Sequence, residues 1–240
     1  MSILPKEKTP RKLALEDNSI LLHGVPKVGK SSMASQAENP IFLATEPGLG
    51  AIEAYQVPIS NWNDFAGAIV ALSEEKHDFK TVVVDTIDNA YFFCSEAVCR
   101  KANKTHESDF GHGKGWALVG NEFRRAILRL SQLPMGLIMI SHSRTREIDT
   151  PDGKLNKVVP TLPPRILEAI AGFVAITLYA TVRGVKKGET VEFEHVMYTK
   201  PRREYEAGDR TGLLPPVLPL KYEALKECFN KTKQVGGKAK

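Results

Sequence analysis

Cysteine is scarce in this sequence: Cys94, Cys99 and Cys228 are the only three in 240 residues, and no two form a C-x-x-C pair. An odd, unpatterned set in a chain of this length excludes a disulfide scaffold and fits a reducing cytoplasm. Long hydrophobic runs are missing as well. The longest apolar stretch, Ala169 to Ala180, is broken by Gly172, Thr177 and Tyr179 and falls short of the ~20 residues that span a bilayer. Membrane insertion is not expected, and the N-terminus has charge without the apolar run of a secretory leader. The six histidines show no zinc-ligand spacing; His23, His77 and His195 read as packing or surface residues. No nucleophile–histidine–acid constellation is present, so neither a zinc site nor a covalent hydrolase is implied. Strong charge of one sign is lacking too, with 33 basic against 28 acidic side chains for a net +5. Part of the excess sits at the ends, in Lys6, Lys8, Arg11 and Lys12 and in Lys231, Lys233, Lys238 and Lys240. Such tails either solvate the chain or attract a polyanion weakly, nucleic acid being the obvious one.

What remains is an ordinary globular composition. Residues 1–17 read as a flexible basic arm, 18–222 as one core, and 223–240 as a terminal helix and basic tail. Ser19 to His23, Pro40 to Thr45, Lys80 to Asp85 and Gly136 to Ser141 are short runs, apolar nearly throughout. Helical patterns over 31–38, 61–76 and 118–133 separate them. Strands apolar on both faces and alternating with helices predict an α/β fold with a mostly parallel sheet flanked by helices. After Pro164 the pattern changes. A short helix near 165–171 leads to runs at 173–182 and 192–199, joined through Lys186-Lys187-Gly188-Glu189, which predicts an antiparallel hairpin extending the sheet. A helical lid of the AAA type is not expected there. Lys221 to Lys231 reads as the terminal helix.

Gly24-Val25-Pro26-Lys27-Val28-Gly29-Lys30-Ser31 satisfies G-x-x-x-x-G-K-[ST], behind a predicted strand and ahead of a predicted helix. Such a loop curls its backbone N–H groups toward phosphates, with glycine where a Cβ would clash. Lys30 then reaches the outer phosphates, Ser31 holds Mg²⁺, and the helix carrying Ser31 and Ser32 adds its positive end. ATP is the expected ligand. Asp85, ending the third strand, is either the second Mg²⁺-side ligand or a helix cap, with Asp88 a lesser candidate. Glu46, after the second strand, is either the group that orients attacking water or a solvated loop acid.

This layout resembles the RecA-like ATPase core: a P-loop on strand one, Glu46 after strand two, Asp85 ending strand three, and a polar residue ending the next. The resemblance implies a γ-phosphate sensor at His142 or Ser141, where a strand-ending polar residue is the alternative. RecA commonly has glutamine there, so His142 departs from the pattern. More specifically the chain resembles phage-encoded RecA-like ATPases, including Sak-type single-strand annealing proteins. That match is carried by the P-loop, Gly111-His-Gly-Lys-Gly-Trp116 and Tyr205-Glu-Ala-Gly-Asp-Arg-Thr-Gly212, over roughly residues 18–215. It implies a nucleotidase of phage DNA recombination or replication, acting in the host cytoplasm as a homo-oligomer.

The resemblance also places single-stranded DNA at two segments read as loops, 101–116 and 143–164. They hold Lys101, Lys104, Lys114 and Trp116, and Arg144, Arg146, Lys154 and Lys157. Cations with an aromatic suit phosphate contact and base stacking; a nucleotide lid or a protein contact is the other reading. Lys200, Arg202, Arg203 and Arg210 are candidates for insertion into a neighbour's nucleotide site, for a wall of the chain's own site, or for a solvated basic turn. The resulting expectation is an ATP-hydrolysing, single-strand-binding protein. A small-molecule kinase or a nucleotide-gated interaction module is the alternative.

Overall fold

The computed structural model describes residues 7–8, 14–151 and 153–236, the side chains of 232–236 excepted. Most of the expected N-terminal arm and the last four residues of the tail therefore lie outside it. In chain order the elements are β1 (Ser19–Gly24), α1 (Lys30–Ala34), β2 (Pro40–Ala44), β3 (Tyr55–Pro58), α2 (Trp62–Glu74), β4 (Thr81–Asp85) and α3 (Ile87–Lys101). Next come α4 (Lys114–Gln132), β5 (Gly136–Thr150), β6 (Gly153–Pro160), α5 (Pro164–Ala171), β7 (Ile176–Lys187), β8 (Thr190–Tyr198), β9 (Gly208–Asp209), β10 (Val217–Pro219) and α6 (Tyr222–Gly236).

The main sheet runs β10-β8-β7-β1-β5-β4-β2-β3. From β7 to β3 every pairing is parallel, while β8 and β10 join antiparallel. Parallel strands need crossover helices on both faces, which is why β1 and β4 are apolar almost throughout. Alternation then sorts their side chains into two cores. Leu21, Val82 and Val84 face one core, with side chains of α2, α3, α4 and α5. Ile20, Leu22 and Val83 face the other, beneath α1 and α6. The start of α2 is fixed by Asn61, whose side chain accepts from the N–H groups of Asn63 and Asp64, a cap that stabilises a helix by about 1 kcal/mol.

Several boundaries differ from expectation. The helix after the P-loop ends at Ala34 rather than near 38, and α4 begins at Lys114 rather than 118. The segment 143–164 is mostly not a loop. β5 continues to Thr150 and turns back as β6, pairing Ser143 with Pro160 through Thr150 with Gly153. In β6 the partly buried Leu155, Lys157 and Val159 alternate with the exposed Lys154 and Asn156, a period-2 signal masked by the lysines. The segment 101–116 is likewise largely ordered: it contains the end of α3, a 3₁₀ turn at Glu107–Phe110 and the first turn of α4. β3 joins the edge of the sheet although its residues are largely exposed, so it lacked the apolar run by which the other strands show themselves.

Candidate nucleotide site

The carboxyl ends of β1, β2 and β4 meet the middle of β5 at one place. β5 lies between β1 and β4, so His142 sits beside Gly24 in one register, and Asp85 pairs with Ile140 in the other. These four strands bring Lys30, Ser31, Glu46, Asp85 and His142 around a single cavity of about 470 Å³.

The loop between β1 and α1 has glycine for two reasons. Gly29 lies at φ 104°, a left-handed conformation open to glycine. Gly24 is demanded by packing: a Cβ there would stand 2.4 Å from the carbonyl oxygen of Ala180 on β7. The neighbouring strand is thus one constraint on this position that the sequence pattern did not show. Lys30 is buried, and its Nζ donates to the carbonyls of Gly24 and Val25 at 2.9 and 3.0 Å. Burial lowers its pKa, with Asp85, Asp88 and Glu46 opposing that shift.

Ser31 Oγ donates to Asp85 Oδ2 at 2.6 Å. Burial raises the pKa of Asp85, and the Ser31 bond counters it. One hydroxyl and one carboxylate, side by side under a phosphate-type loop, fit the donor set of a Mg²⁺ ion, which would take its other ligands from phosphate oxygens and water. Among the described residues no group of three or more His, Cys, Asp or Glu side chains is arranged to hold a metal by itself. Asp88, the lesser candidate, is committed elsewhere: it accepts from Ser141 Oγ at 2.9 Å and from the His142 backbone N–H at 2.8 Å. Ser141 is fully buried, which leaves His142 as the β5 side chain facing the cavity.

Glu46 is held by one oxygen. Thr86 Oγ1 and Asn89 Nδ2 donate to its Oε1 at 2.8 and 3.2 Å, and His142 Nε2 lies 3.3 Å from the same atom. Thr86 is fixed in turn by Thr45, whose Oγ1 accepts the Thr86 N–H at 2.7 Å and donates to its carbonyl at 2.9 Å. Three groups converging on Oε1 fix the carboxylate's orientation and leave Oε2 for other work. Thr45, Thr86 and Asn89 were not anticipated. A signal exists: Thr86 and Asn89 are polar residues one turn apart at the start of α3, on the face next to Asp85. The cavity also has an apolar wall, made by Gly48, Leu49, Ala51 and Ile52.

Behind the site, His23 is fully buried. Its Nε2 meets the Glu206 carbonyl at 2.7 Å and its Nδ1 the Ser143 hydroxyl at 2.8 Å. A carbonyl only accepts, so Nε2 carries the proton and Ser143 donates to Nδ1. Burial lowers the His23 pKa to about 4, the Glu206 bond opposing. His195 reaches the loop itself, its Nδ1 lying 2.8 Å from the carbonyl of Val28. His77 bonds the Leu72 carbonyl at 2.9 Å.

A family model described as an AAA domain matches residues 16–211. The chain belongs to that family. This AAA-domain chain is also 27% identical over 211 residues to the SPbeta prophage-derived uncharacterized protein YorG of Bacillus subtilis strain 168. The match takes in 85% of the chain and 63% of that relative, so the chain spans under two thirds of the relative's length. The fold is accordingly the α/β fold of the P-loop NTPases. C-terminal to β6 it carries α5, the β7–β8 hairpin and α6.

The remaining sequence candidates lie away from this cavity. Lys101 ends α3, Lys104 is exposed beyond it, and Lys114 and Trp116 stand in the first turn of α4. Arg144 and Arg146 are exposed on β5, whereas Lys154 pairs with Glu147 and Lys157 with Glu206. Lys200 pairs with Asp209 at 3.0 Å, and Arg210 donates to the carbonyls of Ala171 and Gly172 at the end of α5. β9 carries Asp209 against the first residues of β7, at the edge of the sheet opposite the phosphate loop. Neither Lys200 nor Arg210 therefore walls the chain's own cavity. Arg202 and Arg203 are exposed between them. No helix among the described residues is long and apolar enough to cross a membrane.

Proposed function

We propose that the protein is a RecA-like ATPase that binds ATP with Mg²⁺, hydrolyses it, and couples this to single-stranded DNA in phage recombination, annealing or replication in the host cytoplasm. The observation that carries the catalytic part is the clamped Glu46. A carboxylate fixed through one oxygen, facing the cavity that also holds Lys30, Ser31 and Asp85, is arranged to take a proton from water. Lys30 neutralises charge on the outer phosphates, and Asp85, Asp88 and Glu46 favour its charged form against the burial that opposes it. Ser31 and Asp85 would hold the metal, which when bound draws electron density from the phosphoryl oxygens. His142, against Glu46 at the root of the β5–β6 hairpin, would report the state of the site to that hairpin. The apolar wall of Gly48, Leu49, Ala51 and Ile52 suits a nucleobase.

The DNA part rests on Arg144 and Arg146, exposed and without an ion-pair partner among the described residues, and on Lys114 and Trp116 at the start of α4. Lys154 and Lys157 are engaged with acids and contribute less. The exposed Arg202 and Arg203 keep the role of contacting a neighbouring copy.

The deciding measurement is ATP hydrolysis with and without single-stranded DNA, with Lys30→Ala as the control. Stimulation by DNA that disappears in the control is the expected result. Hydrolysis in wild type that ignores DNA would sink the recombination reading. Turnover appearing only when a nucleoside phosphate or sugar is added would indicate a kinase instead.

A further inference from the structure

The β7–β8 hairpin runs past the phosphate loop as a two-stranded ribbon, and its two faces differ. Register places Arg183 opposite Glu194 on one face, with Val185–Glu192 and Lys187–Thr190 further out. On that face Arg183 bonds Glu194 at 3.4 Å and Lys187 bonds Glu192 at 2.7 Å, so its charges cancel. The other face pairs Val182 with His195, Gly184 with Phe193 and Lys186 with Val191. Phe193 is 75% exposed, Val191 57% and Val182 44%. Large apolar side chains this open, side by side on one ribbon, are what a protein surface ordinarily covers.

The backbone is equally open. β10 pairs only with Val196, Met197 and Tyr198, so among the described strands Thr190–Glu194 meets β7 alone. The two-residue turn makes Lys187 and Thr190 a hydrogen-bonded pair, and alternation along β8 then turns the N–H and C=O of Val191 and Phe193 outward. His195, next in that series, has its outward carbonyl taken by the Leu220 N–H at 2.9 Å. The edge carries no proline and no bulge, two of the devices by which edge strands avoid pairing, and its charges, Glu192 and Glu194, are paired with Lys187 and Arg183. The outward backbone groups and the exposed apolar side chains belong to the same two residues.

We propose that this edge is a self-association surface, where β8 pairs antiparallel with β8 of a second copy about a two-fold axis through Glu192. In that register each Val191 faces the partner's Phe193 and exchanges both backbone hydrogen bonds with it. Register on Glu192 is selected over Phe193, because centring on Phe193 would need the His195 carbonyl that Leu220 already occupies. The two Glu192 side chains meet near the axis, each neutralised by its own Lys187, so the charge around the axis sums to zero. A symmetric contact of this kind closes on itself and yields a dimer. Because His195 of the same strand bonds the Val28 carbonyl, the contact is tied to the phosphate loop.

A register-specific cross-link tests this on the full chain, in a Cys228→Ser background that leaves only the buried Cys94 and Cys99. Residues facing each other at a non-hydrogen-bonded position stand about 4.5 Å apart at Cα, within disulfide range. Glu192→Cys should therefore cross-link to a dimer under mild oxidation, and Gly188→Cys at the turn should not. Sedimentation velocity of the wild-type chain at about 5–100 µM should show a monomer–dimer equilibrium. Phe193→Asp and Val191→Pro should weaken it at least tenfold without changing the circular dichroism. A wild type that remains monomeric at 100 µM would overturn the proposal. So would an oligomer untouched by both substitutions, or equal cross-linking at 188 and 192.

Discussion

The two hairpins that leave the sheet near the nucleotide site treat charge in opposite ways. On β5–β6, Arg146 stands directly opposite Lys157, with Arg144 next along the same face. Like charges opposite one another cost stability, and only Lys157 has an acid, Glu206, within ion-pair distance. On β7–β8, Arg183 and Lys187 are both matched by glutamates, and the surplus is apolar. A ribbon that keeps cations unmatched is suited to an anion. One that cancels its charges and exposes Phe193 is suited to another protein surface. Their roots differ as well. β5–β6 grows from His142, against Glu46, whereas β7–β8 meets the phosphate loop through Ala180 beside Gly24 and through His195 at the Val28 carbonyl.

The largest test of that contrast is at the root of β5–β6. Glu46→Gln removes the proposed base but keeps its shape, and should lower ATP hydrolysis at least ~100-fold while nucleotide binding stays within about threefold. Asn89→Ala leaves the carboxylate but loosens one of its three restraints, and a loss of about tenfold is expected. Single-turnover kinetics alongside nucleotide titration separates the two effects. If Glu46→Gln hydrolyses ATP like wild type, the reacting side of the cavity is elsewhere and the asymmetry between the hairpin roots loses its meaning.

How much of the fold and site is legible in the sequence depends on whether a residue's job is local. The P-loop, Asp85 and Glu46 are read from position alone, because each ends a strand or opens a helix and the chemistry fixes the residue type. The parallel sheet is legible for the same reason: unbroken apolar runs admit few alternatives. Thr45, Thr86 and Asn89 are not, since their bonds tie the end of β2 to the start of α3 across some 40 positions of sequence, and small polar residues look alike in turns. β6 is hidden by its lysines. His23 reads as simple packing, and nothing local reveals that it bonds Ser143, 120 residues away. Gly24 is recognisable from the loop pattern, but the clash its missing Cβ avoids with Ala180 is on a strand that only folding brings near.

His23 gives the next test, since it joins β1 to the base of β5–β6 through Ser143 and to the 204–206 segment through Glu206. Its pKa falls from 6.5 in the unfolded chain to about 4 in the fold. Between those values the unfolded chain binds the additional proton, so stability must rise with pH across that window and be lost as pH falls through it. The full difference corresponds to roughly 3 kcal/mol. Asp85 and Asp88, raised by burial, act in the opposite direction at acid pH, which is why the comparison should be a difference curve. Urea unfolding of wild type and His23→Gln from pH 4 to 7 should show wild-type advantage growing with pH and levelling above about 6.5. Parallel curves would mean that His23 is not held neutral.

The smallest expected effect separates the two ribbons directly. Arg144→Ala with Arg146→Ala should weaken single-stranded DNA binding about tenfold at moderate salt. It should also flatten the salt dependence by roughly 1.4 in log–log slope, two phosphate contacts at ~0.7 each. Lys187→Ala on the other ribbon removes the same kind of charge, but one already spent on Glu192, and should change affinity less than about twofold with no change in slope. Lys154→Ala is the internal control on β5–β6, because Glu147 occupies that lysine as Glu192 occupies Lys187. Equal losses from all three variants would mean that binding follows net charge alone. A loss confined to the arginine pair would mean that the pattern of unmatched charge, rather than its amount, marks where the nucleic acid lies.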